Sequence, residues 1–214
     1  MTDVLRTIQN HGLVPVIKLE TADAAEPLAE TLRDAGLPLA EVTFRTGAAE
    51  QSIRRIAAKV PDVLVGAGTI LTIDQVKQAV DAGAAFIVTP GFNPRVVEYC
   101  VKNRIPITPG INNPTGVESA LEFGLTTLKF FPAEASGGVA MLKALSGPYG
   151  EVRYIPTGGV NAKNLGQYLS LKNVAAVGGS WMVPADRIAQ GEFEQVAQLT
   201  RDAVRLVGDI RNTG

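Results

Sequence analysis

The feature that most constrains this chain is an unbroken alternation of short β-rich apolar runs with amphipathic stretches of helical period. The runs are VPVIKL from Val14, LAEVTF from Leu39, VLVGAGT from Val63, AFIVTP from Ala85, IPITPG from Ile105, TLKFFP from Thr127, RYIPTGG from Arg153 and VAAVGGS from Val174. Successive runs start 20 to 26 residues apart, room for one strand, one short helix and two tight loops, as a parallel βα unit requires. Helical spacing covers roughly Ala22–Gly36, Ala48–Lys59, Ile73–Gly83, Pro94–Asn103, Thr115–Gly124, Val139–Leu145 and Ala162–Leu169. Gly36, Gly83 and Gly124 fall where a left-handed C-cap is wanted, and Thr72 and Asn93 where an N-cap is wanted. Eight strand signals in such order favour an α/β fold of the closed (β/α)8 (TIM) barrel type, because a doubly wound sheet of this length normally has fewer strands and two exposed edges. The segment Thr2–His11 reads as an extra N-terminal helix able to cap the N-terminal mouth, and Phe193–Ile210 as the last outer helix. No linker or low-complexity stretch divides the chain, so residues 1–214 are expected to form a single domain.

Composition then removes function classes. With 46% hydrophobic and 19% charged residues the chain is globular rather than disordered. Twenty basic against twenty-one acidic residues give a net charge of −1, which supplies no field for nucleic acid or an anionic membrane. Any anion must be held by a local site. One cysteine, Cys100, and one histidine, His11, exclude an internal disulfide framework and a zinc centre, while a hard-metal carboxylate site stays open on composition alone. The opening MTDVLRTIQNHG lacks an apolar signal region and no run approaches a membrane span, so a soluble cytoplasmic protein is expected.

In a barrel of this kind chemistry sits at the C-terminal ends of the strands, and several polar side chains fall there. Glu41, Thr43 and Arg45 alternate along the second run and so share one face, with Val42 and Phe44 on the other. A carboxylate and a guanidinium would then share the interior, as a structural salt bridge or as working groups. Lys129 interrupts an apolar, aromatic run. Burial disfavours an ammonium and readies an amine nucleophile, so a Schiff base with a carbonyl substrate is one reading; a lysine snorkelling from a strand end or paired with Glu41 is the other. The last two runs end in Thr157-Gly158-Gly159 and Gly178-Gly179-Ser180. One glycine pair marks a turn, but two at these strand ends suit the phosphate cradle of phosphosugar barrels, where backbone N–H groups meet the anion. Gly66-Ala67-Gly68-Thr69 leaves room beside a hydroxyl, or packs strands closely, and Pro90 and Pro109 shape the mouth or stop their strands. A Ser-His-Asp or Cys-His system would need His11, which lies away from this face, and Cys100 falls mid-helix as a packed thiol. Proton transfer falls to Glu41, Lys129 or water.

These residues carry a resemblance. EVTFRT at Glu41, VGAGTIL at Val65, TPG at Thr89, PITPGI at Pro106, LKFFPAEASGG at Leu128, PTGGV at Pro156 and GGSWMVPAD at Gly178 make the chain closely similar, from Val14 to Asp186, to the class I aldolases that cleave 2-keto-3-deoxy-6-phosphogluconate (KDPG) and 4-hydroxy-2-oxoglutarate (KHG), bacterial enzymes of the Entner–Doudoroff pathway. The resemblance implies that Lys129 forms the carbinolamine and imine with a 2-oxo acid and that Glu41 moves protons, with no metal ion or cofactor. It implies that Arg45 and Thr69 hold the pyruvate carboxylate, that Pro90 and Phe131 line the pocket, and that Thr157 meets the intervening hydroxyls. Gly158, Gly159, Gly179 and Ser180 would hold the phosphate. A homotrimer is the implied assembly. Asn112 and Asn113 after PGI depart from the family pattern in a loop and bear on substrate range. Three other readings compete: an aldolase for the galactonate epimer, a phosphosugar isomerase that needs a base and no imine, and a binding barrel without turnover.

Overall fold

The computed structural model describes residues 3–212, so Met1, Thr2, Thr213 and Gly214 lie outside it, Thr2 of the expected first helix among them. The chain is an α/β protein built on parallel strands. Nine strands occur among the described residues: β1 (Leu13–Ile17), β2 (Leu39–Thr43), β3 (Leu64–Gly68), β4 (Ile87–Val88), β5 (Ile107–Thr108), β6 (Gly110–Ile111), β7 (Thr127–Phe130), β8 (Arg153–Pro156) and β9 (Val177–Gly179). The helices are α1 (Asp3–His11), α2 (Ala25–Asp34), α3 (Ala49–Lys59), α4 (Ile73–Asp81), α5 (Pro94–Lys102), α6 (Pro114–Glu122), α7 (Gly138–Ser146), α8 (Leu165–Leu169), α9 (Ala185–Ala189) and α10 (Phe193–Asn212). One sheet has the order β5-β4-β3-β2-β1-β9 and a second the order β6-β7-β8.

Where eight strand runs were expected, the fifth divides into β5 and β6 at Pro109. Proline has no N–H to give to a ladder, so its carbonyl alone takes part, accepting from the Lys129 N–H at 2.9 Å. Isolated parallel bridges pair Tyr154 with Val174 and Thr157 with Gly178, linking β8 to the β9 segment. Helix boundaries follow their punctuation. Thr72 accepts the Gln75 N–H at the start of α4 and Asn93 the Arg95 N–H at the start of α5, whereas Gly36, Gly83 and Gly124 take positive φ just past α2, α4 and α6. The five-residue α9 has no counterpart in the sequence reading, since one turn is too short to show a period.

The amphipathic helices bury one face each against the strands, and a single apolar cluster runs from Ile8 to Val207. Its largest fully buried side chains are Tyr154, Tyr168, Phe86 and Phe130. Glycines at 66 and 68 make room within it. A Cβ on Gly66 would meet the Phe86 ring at 2.4 Å, and one on Gly68 would meet Glu41 Oε1 at 2.2 Å. No described helix is long and apolar enough to cross a membrane.

Candidate active site

Parallel register assembles the centre of the site. Glu41 on β2 stands level with Val16 on β1 and Gly66 on β3, while Lys129 on β7 stands level with Gly110 on β6 and Ile155 on β8. Both side chains point into one small internal space that Ile8, Val14, Phe86, Val88, Thr108, Ile155 and Thr157 also bound. Lys129 Nζ lies 3.2 Å from Glu41 Oε1, with the two side chains 6% and 3% exposed. That separation exceeds the 2.7–2.9 Å of a tight charge-assisted bond. The Phe131 ring lies 5.4 Å from Nζ, within cation–π reach. An amine and a carboxylate, buried and in contact, can exchange a proton directly.

The cradle lies outward of this pair. A cavity of about 340 Å³ is lined by Arg45, Phe131, Thr157, Gly158, Gly159, Gly179 and Ser180, and adds Lys18 at the end of the first run. This volume suits a small metabolite. Thr157 borders both the cavity and the inner space, so it stands between Lys129 and the glycines. Gly158 and Gly159 take φ of +97° and +83°, which favours glycine at both. Gly178 leaves room for Thr157, whose Oγ1 would lie 2.3 Å from an added Cβ, and Gly179 is covered by the Trp181 ring. Pro90 and Phe131 line an adjacent cavity of about 310 Å³ with Asn112 and Asn113.

One sequence expectation changes. Arg45 does not share the interior with Glu41. β2 ends at Thr43, and Arg45 stands exposed at the rim, facing the glycine cavity. Ending the strand lets the guanidinium keep its water, while the carboxylate pairs with Lys129 instead. Thr69, the other residue expected on the carboxylate, lines none of these three cavities; it is held at φ +58°, an uncommon conformation for a β-branched residue. Lys18 was missed. It follows Val14 and Val16 at period two, one residue past the end of β1, and forms an ion pair with Glu20 at 2.6 Å, so period two was the available signal. His11 ends α1, and Cys100 is fully buried on α5 with its thiol pushed up to about 12 by burial; neither enters the site.

Fold and site together define a class: a parallel α/β protein with a buried lysine–carboxylate pair beside a glycine-lined cavity. The family model for the KDPG and KHG aldolases matches residues 4–199, and the chain belongs to that family. A 2-dehydro-3-deoxy-phosphogluconate aldolase of Treponema pallidum is 48% identical over 208 residues, 97% of this chain and 99% of the relative. A KHG/KDPG aldolase of Escherichia coli K12 is 42% identical over 192 residues, covering 90% of each. Among solved structures, KDPG aldolase from Legionella pneumophila with pyruvate captured as a covalent carbinolamine is similar, with a TM-score of 0.91, 38% identity, and coverage of 94% of this chain and 98% of that one.

Proposed function

We propose that the chain is a class I aldolase that cleaves 2-dehydro-3-deoxy-6-phosphogluconate reversibly to pyruvate and D-glyceraldehyde 3-phosphate. The observation that carries this reading is the buried contact of Lys129 with Glu41 at 3.2 Å. The neutral Lys129 amine adds to the C2 ketone, and Glu41 passes protons to the carbinolamine oxygen, which leaves as water. The resulting protonated imine is the electron sink. When the C4 hydroxyl gives up its proton to the Glu41 carboxylate, the C3–C4 bond breaks and its electron pair moves through C2 to the imine nitrogen, releasing the aldehyde and leaving an enamine. Protonation at C3 and hydrolysis free pyruvate and restore the amine.

The remaining residues take the two charged ends. Arg45 and Thr69 receive the carboxylate, Pro90 and Phe131 bound the pyruvate portion, Thr157 meets the hydroxyls, and Gly158, Gly159, Gly179 and Ser180 receive the phosphate. Arg45 lines the glycine cavity together with Lys18, which favours a second reading in which both cations serve the phosphate. The relative named KHG/KDPG aldolase supports 4-hydroxy-2-oxoglutarate as a further substrate, cleaved to pyruvate and glyoxylate. The proposal extends to a single-domain (β/α)8 barrel over residues 1–214, which the bridges from β8 to the β9 segment and the Lys129 N–H bond to Pro109 support. It also includes the homotrimer and cytoplasmic location that the family resemblance implies.

The test is incubation with pyruvate and borohydride, followed by intact mass and peptide mapping. A reduced pyruvate adduct confined to the peptide holding Lys129, absent in Lys129→Met, is the expected result, together with a fall in aldol cleavage of at least about 10³-fold in the variant. No adduct on folded protein with pyruvate in excess would overturn the imine mechanism.

A further inference from the structure

The reaction as written has no use for Glu134 or Tyr168, yet both are built against the back of the glycine turn that follows β8. Glu134 opens the single 3-10 turn Glu134–Ser136 after β7. Its backbone N–H donates to the Gly158 carbonyl at 3.1 Å, and the Ala133 N–H donates to the Thr157 carbonyl at 2.8 Å. Two side-chain amides, from Asn161 and Asn164, donate to the Gly159 carbonyl at 3.2 Å each. All three carbonyls of the turn are therefore tied to protein. In a trans peptide plane the N–H of the next residue points opposite to the carbonyl. Tying the Thr157 and Gly158 carbonyls thus aims the Gly158 and Gly159 N–H groups the other way.

The side chain of Glu134 completes the brace. Its stem lies against Gly159, where an added Cβ would come within 2.5 Å of Glu134 Cγ, and its carboxylate lies against Gly138, where an added Cβ would stand 3.2 Å from Oε1. Tyr168, fully buried on α8, donates its hydroxyl to that same Oε1. Burial, reinforced by the bond to Glu134 and its charge, holds the phenol well above the usual tyrosine range, so it remains a donor at any working pH.

We propose that Glu134 and Tyr168 are positioning residues that fix the aim of the Gly158 and Gly159 N–H groups and so set the preference of the site for phosphorylated substrates. This rests on the aldolase reading above. The effect is on binding at the phosphate end; imine formation at Lys129 does not depend on it.

The experiment compares wild type, Tyr168→Phe, Glu134→Ala and Glu134→Gln in steady-state cleavage of 2-dehydro-3-deoxy-6-phosphogluconate, alongside the pyruvate concentration that half-saturates borohydride trapping at Lys129. Tyr168→Phe and Glu134→Ala are expected to raise KM for the phosphorylated substrate about five- to tenfold with kcat within about twofold, and to leave pyruvate trapping at wild-type concentrations. Glu134→Gln keeps an oxygen for the Tyr168 hydroxyl and is expected to restore KM to within about twofold of wild type. An unchanged KM in the first two variants, an equal loss in trapping and cleavage, or failure of Glu134→Gln to rescue would each overturn the inference. Wild-type trapping and cleavage separate these outcomes from failure of the aldolase reading itself.

Discussion

The centre of the site and the glycine cradle proposed for the phosphate are made in opposite ways. The centre consists of two ionisable side chains, Lys129 and Glu41, buried and in contact within a close-packed shell. The cradle consists largely of backbone, with Gly158, Gly159 and Gly179 carrying no side chain and Ser180 exposed. Chemistry at the centre resides in which residues are present. Binding at the cradle resides in where peptide planes point, and that is decided by residues behind the loop. The two halves should therefore fail separately: one through kcat, the other through KM.

The sharpest way to break the comparison at the centre is Glu41→Gln. The amide keeps the shape and a neutral partner for Lys129 but cannot take up protons, so kcat is expected to fall by about 10²- to 10⁴-fold. KM for the phosphorylated substrate should stay within a few-fold, since the cradle is untouched. Steady-state kinetics checks this, and a change confined to KM would remove the proton-transfer role. At the cradle the matching variant is Gly179→Ala, whose new Cβ would sit 1.9 Å from the Trp181 ring. The ring must move, and the loop with it. KM for the phosphorylated substrate is expected to rise about tenfold or more, a loss of roughly 1.4 kcal/mol of binding, while pyruvate trapping persists. Tryptophan fluorescence provides an independent readout, because Trp181 is the one tryptophan in the chain. Loss of trapping in this variant would show that the halves are not separable.

This division also explains what was legible in the sequence. A lysine inside LKFF and a glutamate inside EVTF stand out because each violates the apolar pattern of its own strand, and register then brings them together. The glycine pairs were legible as glycines, but their carbonyl partners were not. Ala133, Glu134, Asn161 and Asn164 reach the turn from segments whose sequence carries no periodic signal for doing so. Tyr168 reads as a core aromatic of a helix, and only the folded structure reveals its hydroxyl on Glu134. Arg45 misled for a related reason: alternation predicts a face only while the strand lasts, and β2 stops two residues earlier. Pro109 divided the fifth run for want of an N–H, although its place in the sequence was plain.

A third region sharpens the contrast because it is closed. Ile8 of α1 borders the space that holds Lys129 and Glu41, and α1 is pinned by Arg211 of α10, which donates to the Asn10 and Gln9 carbonyls at 2.5 and 2.6 Å. His11 ends the same helix. Burial, and then the charge of Arg211, lower its pKa from the ordinary 6.5, so the docked helix binds a proton less readily than the unfolded chain. The linkage follows in sign: this contribution is present in full above pH 6.5 and is lost as pH falls through the window between 6.5 and the lowered value. Amide exchange in α1 is expected to quicken on going from pH 7.5 to about pH 5.5, after correction for the intrinsic rate, with a fall in Tm of about a degree or two. His11→Gln should flatten that dependence and leave kcat at neutral pH alone, because the imidazole lies outside the inner space. The same slope in the variant would assign the effect to carboxylates elsewhere in the fold, and a change in kcat would mean that the closed end of the site is coupled to the chemistry it covers.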